Sequence, residues 1–170
     1  PNINLSNDQI LCNGDLSDDI VFNGSVLGTQ YQWSNSLQSI GLLSNGTGDI
    51  LPFNVANNSN LQVNAQIIVT PIFTENETSC SGDADSIMIS INPTPVVNNP
   101  GPQVYCAEDS TVQLIFSGTG NNYEWFADQT IIGNTISGEN IIPTFFVTNA
   151  TENTLNTNFI ITPLYEEDNA

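Results

Sequence analysis

Tyr31-Gln32-Trp33 and Tyr123-Glu124-Trp125 are two copies of one phrase, and the residues around them are copied too. Ile40-Gly41 matches Ile132-Gly133, Thr70-Pro71 matches Thr162-Pro163, and Cys12 matches Cys106. Up to Gly24 the offset is 94 (Cys12/Cys106, Phe22/Phe116, Gly24/Gly118). From Tyr31 onward it is 92 (Trp33/Trp125, Phe53/Phe145, Asn57/Asn149). One two-residue deletion between Gly118 and Tyr123 explains the change. Sequential copies of one module build arrays, and arrays commonly serve as stalks, spacers or fibres. Copy one spans residues 1–94 and copy two spans residues 95–170. At this period copy two would run to about position 186 (94 + 92), so the expectation is a second module truncated at its C-terminal strand.

The local pattern is that of strands. No long segment carries apolar residues at i, i+3, i+4 and i+7. Val63, Ala65, Ile67 and Val69 alternate with Asn64, Gln66, Ile68 and Thr70. Ile87, Ile89 and Ile91 alternate with Met88, Ser90 and Asn92, the period of a half-buried strand. Further strands are expected at 20–22, 31–34, 49–55, 112–117, 122–126, 141–147 and 158–165, with a turn at Asn45-Gly46-Thr47-Gly48. Six or seven short strands per copy predict a β-sandwich. The order Cys12, Trp33, Cys80 fits a tryptophan packed over an inter-sheet disulfide. A Cys12–Cys80 bond would close a loop of roughly 70 residues and contribute up to about 4 kcal/mol in the chain-entropy view. Cys106 then awaits a partner near position 172. Asn92-Pro93-Thr94-Pro95 is the domain boundary, and its two prolines favour an extended, semi-rigid connection.

Composition narrows the function classes. The 170 residues contain 18 carboxylates and no Lys, Arg or His. Without a cationic side chain there is no Lys/Arg contact to phosphate, which excludes nucleic acid and anionic membrane surfaces as partners. A Ser-His-Asp or Cys-His catalytic arrangement is impossible without His. Zinc lacks imidazole, and three cysteines are too few and too spread. The expectation is a non-enzyme. No run approaches the roughly 20 apolar residues that cross a bilayer, so no membrane insertion is expected in this segment. With no initiator Met or signal peptide, the chain is expected to be a mature or internal piece.

The repeat residues also carry a resemblance. Cys12-Asn13-Gly14, Tyr31-x-Trp33, Ile40-Gly41, Gly46, Gly48, Asn57, Val69-Thr70-Pro71, Cys80-Ser81-Gly82 and Asn92-Pro93-Thr94-Pro95 resemble the PKD-like, immunoglobulin-like modules of secreted Bacteroidota proteins. Those modules occur in tandem in very large cell-surface proteins, including gliding adhesins exported by the type IX secretion system. The resemblance covers copy one and the part of copy two present. It implies two tandem immunoglobulin-like β-sandwiches, an extracellular, bacterial cell-surface location, and a spacer or adhesive role in a surface filament. Its implied partners are neighbouring repeats of the same chain, surface glycans and other cells. Copy two departs at Ala107-Glu108, where copy one has Asn13-Gly14, which puts that turn in doubt. Alternatives are a carbohydrate- or protein-binding module using exposed aromatics such as Phe126 or Tyr165, and an ancillary domain of a secreted enzyme.

Calcium is the one cofactor the residue set admits, because hard cations take carboxylate and carbonyl oxygens. If Cys12 and Cys80 were bonded, Asp15 would approach Asp83 and Asp85 as a shared metal site; the plainer reading is solvated acidic loops. Asn45, Asn57, Asn76 and Asn149 open N-x-S/T sequons. Asp85-Ser86-Ile87 matches the O-linked pattern of Bacteroidota, which makes Ser86 the candidate glycosylation residue, with Asp109-Ser110-Thr111 a looser match.

Overall fold

The computed structural model describes residues 1–166, and these are nearly all-β, with several sheets and no α-helix. The chain divides into two compact units, Pro1–Thr94 and Pro95–Ala170.

Unit 1 holds β1 (Gln9–Cys12), β2 (Gln30–Asn35), β3 (Asn45–Thr47), β4 (Val63–Glu75), β5 (Thr78–Ser81) and β6 (Asp85–Asn92). They form one sheet in the order β1-β6-β4-β2-β3, with β5 also on β4. β1 runs parallel to β6; the other pairings are antiparallel. The alternation in β4 and β6 sets this register. Val63 pairs with Ile91, Ala65 with Ile89 and Ile67 with Ile87, so one apolar face forms. Burying that face drives the fold, and a one-residue slip would turn all of it to water. Opposite this sheet, a second layer is joined by the bridges Asn4↔Asn23, Leu16↔Asn54 and Ile20↔Ile50. It adds Ile20, Phe22, Ile50 and Val55 to the same core, an arrangement compatible with a β-sandwich.

Pro71 lies within β4, an interior strand, which needs explaining because proline cannot donate to a ladder. Tyr31, its partner on β2, turns its carbonyl the other way, to Gly48 N. The backbone of Pro71 therefore faces the gap where β6 ends (Asp85↔Val69) and β5 begins (Ser81↔Ile72). Its carbonyl accepts from Gly82 N at 2.9 Å there, and no strand asks for a donor.

Unit 2 holds β7 (Leu114–Ile115), β8 (Asn122–Ala127), β9 (Ser137–Glu139), β10 (Ile141–Ile142) and β11 (Phe159–Leu164). β11-β8-β9 form one sheet and β10-β7 another. The core comprises Phe116, Tyr123, Trp125, Ala127 and Ile142, with Val97, Leu114, Phe145, Phe159 and Ile161 packed against it. Gln103–Cys106, equivalent to β1, forms no strand, and β6 has no counterpart among the described residues.

The two units share their hydrogen bonds as well as their residues. Gly14 N→Val55 O, Ser17 N→Phe53 O and Ala56 N→Ile40 O recur as Glu108 N→Val147 O, Thr111 N→Phe145 O and Thr148 N→Ile132 O. The Asp15 carboxylate accepts from Cys12 N at 2.8 Å and Asp109 from Cys106 N at 3.1 Å. Phe22 tilts on Tyr31 at 5.8 Å and Phe116 on Tyr123 at 5.9 Å. The Ala107-Glu108 turn, in doubt from the sequence, keeps its shape: Glu108 takes φ 69 where Gly14 has φ 92. A non-glycine residue there is strained.

One polar core position has migrated between the copies. Asn35 is buried at the end of β2; its Nδ2 donates to Leu37 O, Leu42 O and Leu43 O, and its Oδ1 accepts from Leu37 N. In unit 2 the equivalent residue is Ala127. Asn134, which replaces Leu42, donates instead to Gln129 O and Thr135 O, the equivalents of Leu37 O and Leu43 O. The same carbonyls are served by an amide that enters from another element.

Several expected strands are shorter or differently made. Ile20–Phe22 and 49–55 meet through single bridges, and 141–147 keeps only Ile141–Ile142 as strand. Asn45–Thr47, expected as a turn, is the edge strand β3.

Candidate functional site

The Cys12–Cys80 disulfide is not present: both thiols, and that of Cys106, are free and exposed. Register explains why. Cys12 pairs with Asn92 at one end of β6, while Cys80 pairs with Phe73 far along β4. Val63↔Ile91 places Gln62 level with Asn92, so eleven residues of strand (73 − 62) lie between the two levels. At about 3.3 Å per residue that is roughly 36 Å, whereas a disulfide needs Cα atoms within about 7 Å.

The proposed meeting of Asp15 with Asp83 and Asp85 fails for the same reason. Asp15 follows the Cys12 end of β1, beside Asn92, and Asp85 opens β6 at the other end. Seven residues of strand separate those ends, about 23 Å. The Asp15 carboxylate is engaged by Cys12 N, and that of Asp85 by Ser86 N at 2.8 Å. Among the described residues no three His, Cys, Asp or Glu side chains are grouped to hold a metal.

Ser86 is exposed at the start of β6, where its Oγ accepts from Gln66 Nε2 at 3.0 Å. Two of the sequons are structural loops. Asn57 Oδ1 accepts from Ser59 N and Oγ, Ser59 Oγ donates to Leu61 O, and Asn57 Nδ2 donates to Leu61 O and Ile91 O. Asn149, Thr151 and Asn153 repeat the pattern apart from the Ile91 bond. Asn57 is 4% exposed and its amide is spent inside, so no sugar can be attached there.

Trp33 and Trp125 are core residues. Each indole N–H donates to a backbone carbonyl, Gly48 O at 3.1 Å and Ile141 O at 2.7 Å, and each ring lies flush on a glycine, Gly46 and Gly138. A Cβ at either glycine would fall 2.3 Å or 2.7 Å from ring carbon. This is why the Gly-containing edge strands β3 and β9 accompany the tryptophans.

Phe126, expected from the sequence as an exposed aromatic, lies on the outer face of β9-β8-β11; the rest of that surface was not read from the sequence. A cavity of about 370 Å³ opens there between Glu124, Phe126, Ser137, Glu139, Ile160 and Thr162. Glu124 pairs with Glu139 on one side and Thr162 on the other; Phe126 lies between Ser137 and Ile160. Asn140 N→Tyr123 O and Ala127 N→Ile136 O mark hydrogen-bonded pairs, so Glu124/Glu139, at odd register between them, is a non-hydrogen-bonded pair. Such side chains lie closest, with Cβ atoms about 4.5–5.5 Å apart, and like charges there cost about 0.2–1 kcal/mol. Only period-two alternation marked Glu124 as outward; its partner depends on a pairing that sequence cannot supply.

Among the described residues no helix is long and apolar enough to cross a membrane. A scan against protein-family models and a search of curated proteins find no match to this chain.

Proposed function

We propose that the chain is a non-catalytic segment of tandem immunoglobulin-like modules in a bacterial cell-surface protein, where it acts as spacer and takes part in adhesion. The observation that carries this reading is the recurrence of one hydrogen-bond pattern in two successive units, the mark of an array. The connectivity of unit 1 supports the immunoglobulin-like part of this reading: an N-terminal segment first bridges the second layer at Asn4↔Asn23, then crosses to pair parallel with the last strand. The extracellular setting, the type IX export route and the gliding context rest on the sequence resemblance. The lack of any Lys or Arg supports them in one respect, since it leaves no trypsin-type cleavage site.

The mechanism follows from β1 and β6. They lie near the two ends of unit 1 and pair parallel from Gln9↔Ile89 to Cys12↔Asn92. Tension applied through the chain loads these bonds in shear, together, rather than one at a time. That geometry resists extension without a Cys12–Cys80 bond. Single-molecule stretching from the two chain ends tests it. A discrete force peak followed by a length gain of roughly 300 Å for unit 1 is expected, from about 94 residues at 3.3–3.6 Å each. Extension without a peak removes the spacer function. O-glycosylation at the exposed Ser86 belongs to the same reading, and the intact mass of natively purified protein tests it.

A further inference from the structure

We propose that the outer face of β9-β8-β11 in unit 2 is a docking site for an arginine side chain of a partner protein. Unit 1 is the internal control. Its equivalent face carries Gln32, Ser34, Asn45, Thr47, Ile68 and Thr70, held in the same register: Gln32 between Thr47 and Thr70, Ser34 between Asn45 and Ile68. That neutral polar set satisfies the fold. Unit 2 keeps Ile160 and Thr162 but replaces Gln32 by Glu124, Thr47 by Glu139 and Ser34 by Phe126. The formal charge of the face goes from zero to −2, and a phenyl ring is left 49% exposed beside Ile160 at 60%.

The two charge changes do not help unit 2 fold, since like charges directly opposite are destabilising. Glu124 and Glu139 are forced together on adjacent strands, and among the described residues no group donates a hydrogen bond to either carboxylate. No Lys, Arg or His exists to neutralise them. The cavity between them is concave, with Phe126 and Ile160 on one side and the two carboxylates on the other. This is the complement of a guanidinium group, which is planar, stacks on an aromatic face and presents a fork of donors to carboxylates. A second copy of this chain cannot supply it, since it has no arginine and carries a net charge of −18. The arginine therefore comes from outside these 170 residues.

The test is NMR titration of the whole chain with N-acetyl-L-argininamide, with N-acetyl-L-citrullinamide as the neutral isostere and calcium chloride as the metal control. Saturable shifts confined to the amides around Glu124, Phe126, Ser137–Glu139 and Ile160, given by argininamide and not by citrullinamide, are expected. The E124Q/E139Q double variant should weaken this at least tenfold while raising the melting temperature of unit 2, and F126S should weaken it without that rise. Shifts that never saturate and are spread over the acidic residues of both units overturn the proposal. So does an equal response to citrullinamide, or a calcium response at the same residues that F126S leaves intact.

Discussion

Asn35→Ala and Leu42→Asn together form a cycle that tests the migrated amide. Asn35 Nδ2 donates to three carbonyls at 3.1, 3.1 and 3.3 Å, and its Oδ1 accepts from Leu37 N at 2.9 Å. Removing it strands several groups beneath a buried position, for about 3 kcal/mol. Leu42→Asn alone buries a second amide that competes for the same carbonyls, at a further cost of about 2–3 kcal/mol. The double variant recreates the Ala127/Asn134 pairing of unit 2 and recovers most of both losses. Recovery stays incomplete, because Asn134 Oδ1 is buried without a partner and the equivalent of Leu37 N loses its acceptor. A residual destabilisation of about 1–2 kcal/mol is expected, hence a coupling of about 3–5 kcal/mol in favour of the pair. Urea unfolding followed by tryptophan emission measures this, in a Trp125→Phe background so that Trp33 reports unit 1. With a slope of about 1.5 kcal/mol/M, Asn35→Ala should move the midpoint by roughly 2 M, and the double variant by about 1 M. Additive single effects would show that the two asparagines do not serve one purpose.

Three further outcomes follow from the geometry. Glu108→Gly should stabilise unit 2 by about 1 kcal/mol in thermal melting, because it relieves the positive φ that Gly14 adopts freely in unit 1. Asn57→Ala should cost about 2–3 kcal/mol, since it removes the buried donor to Ile91 O and the acceptor of Ser59 N, while Leu61 O keeps Ser59 Oγ; half-buried Asn149→Ala should cost about 1 kcal/mol, and equal losses would contradict the burial argument. Titration of the native, unreduced protein with a thiol reagent should count three accessible cysteines; a count of one would restore the Cys12–Cys80 bond.

Much of the scaffold was legible in the chain. The alternation of β4 and β6 names the buried residues: Ala65, Ile67, Val69, Ile87, Ile89 and Ile91 are all 2% exposed or less. The paired tryptophans read as core, and they are. The β3 and β9 edges were illegible because their glycines signal turns locally; only the tryptophan ring lying on Gly46 or Gly138 explains a strand there. The Asn57 loop read as a sequon because a three-residue pattern cannot show that its amide points inward.

What the sequence by itself determined is which residues repeat, which alternate, and which chemistries are closed to a chain without Lys, Arg or His. Which distant residues meet was decided by tertiary structure alone. Strand register sets Cys12 and Cys80 at opposite ends of one sheet, and it sets Glu124 directly against Glu139. Register comes from burying one whole face at once, a property of pairs of strands that no single strand carries.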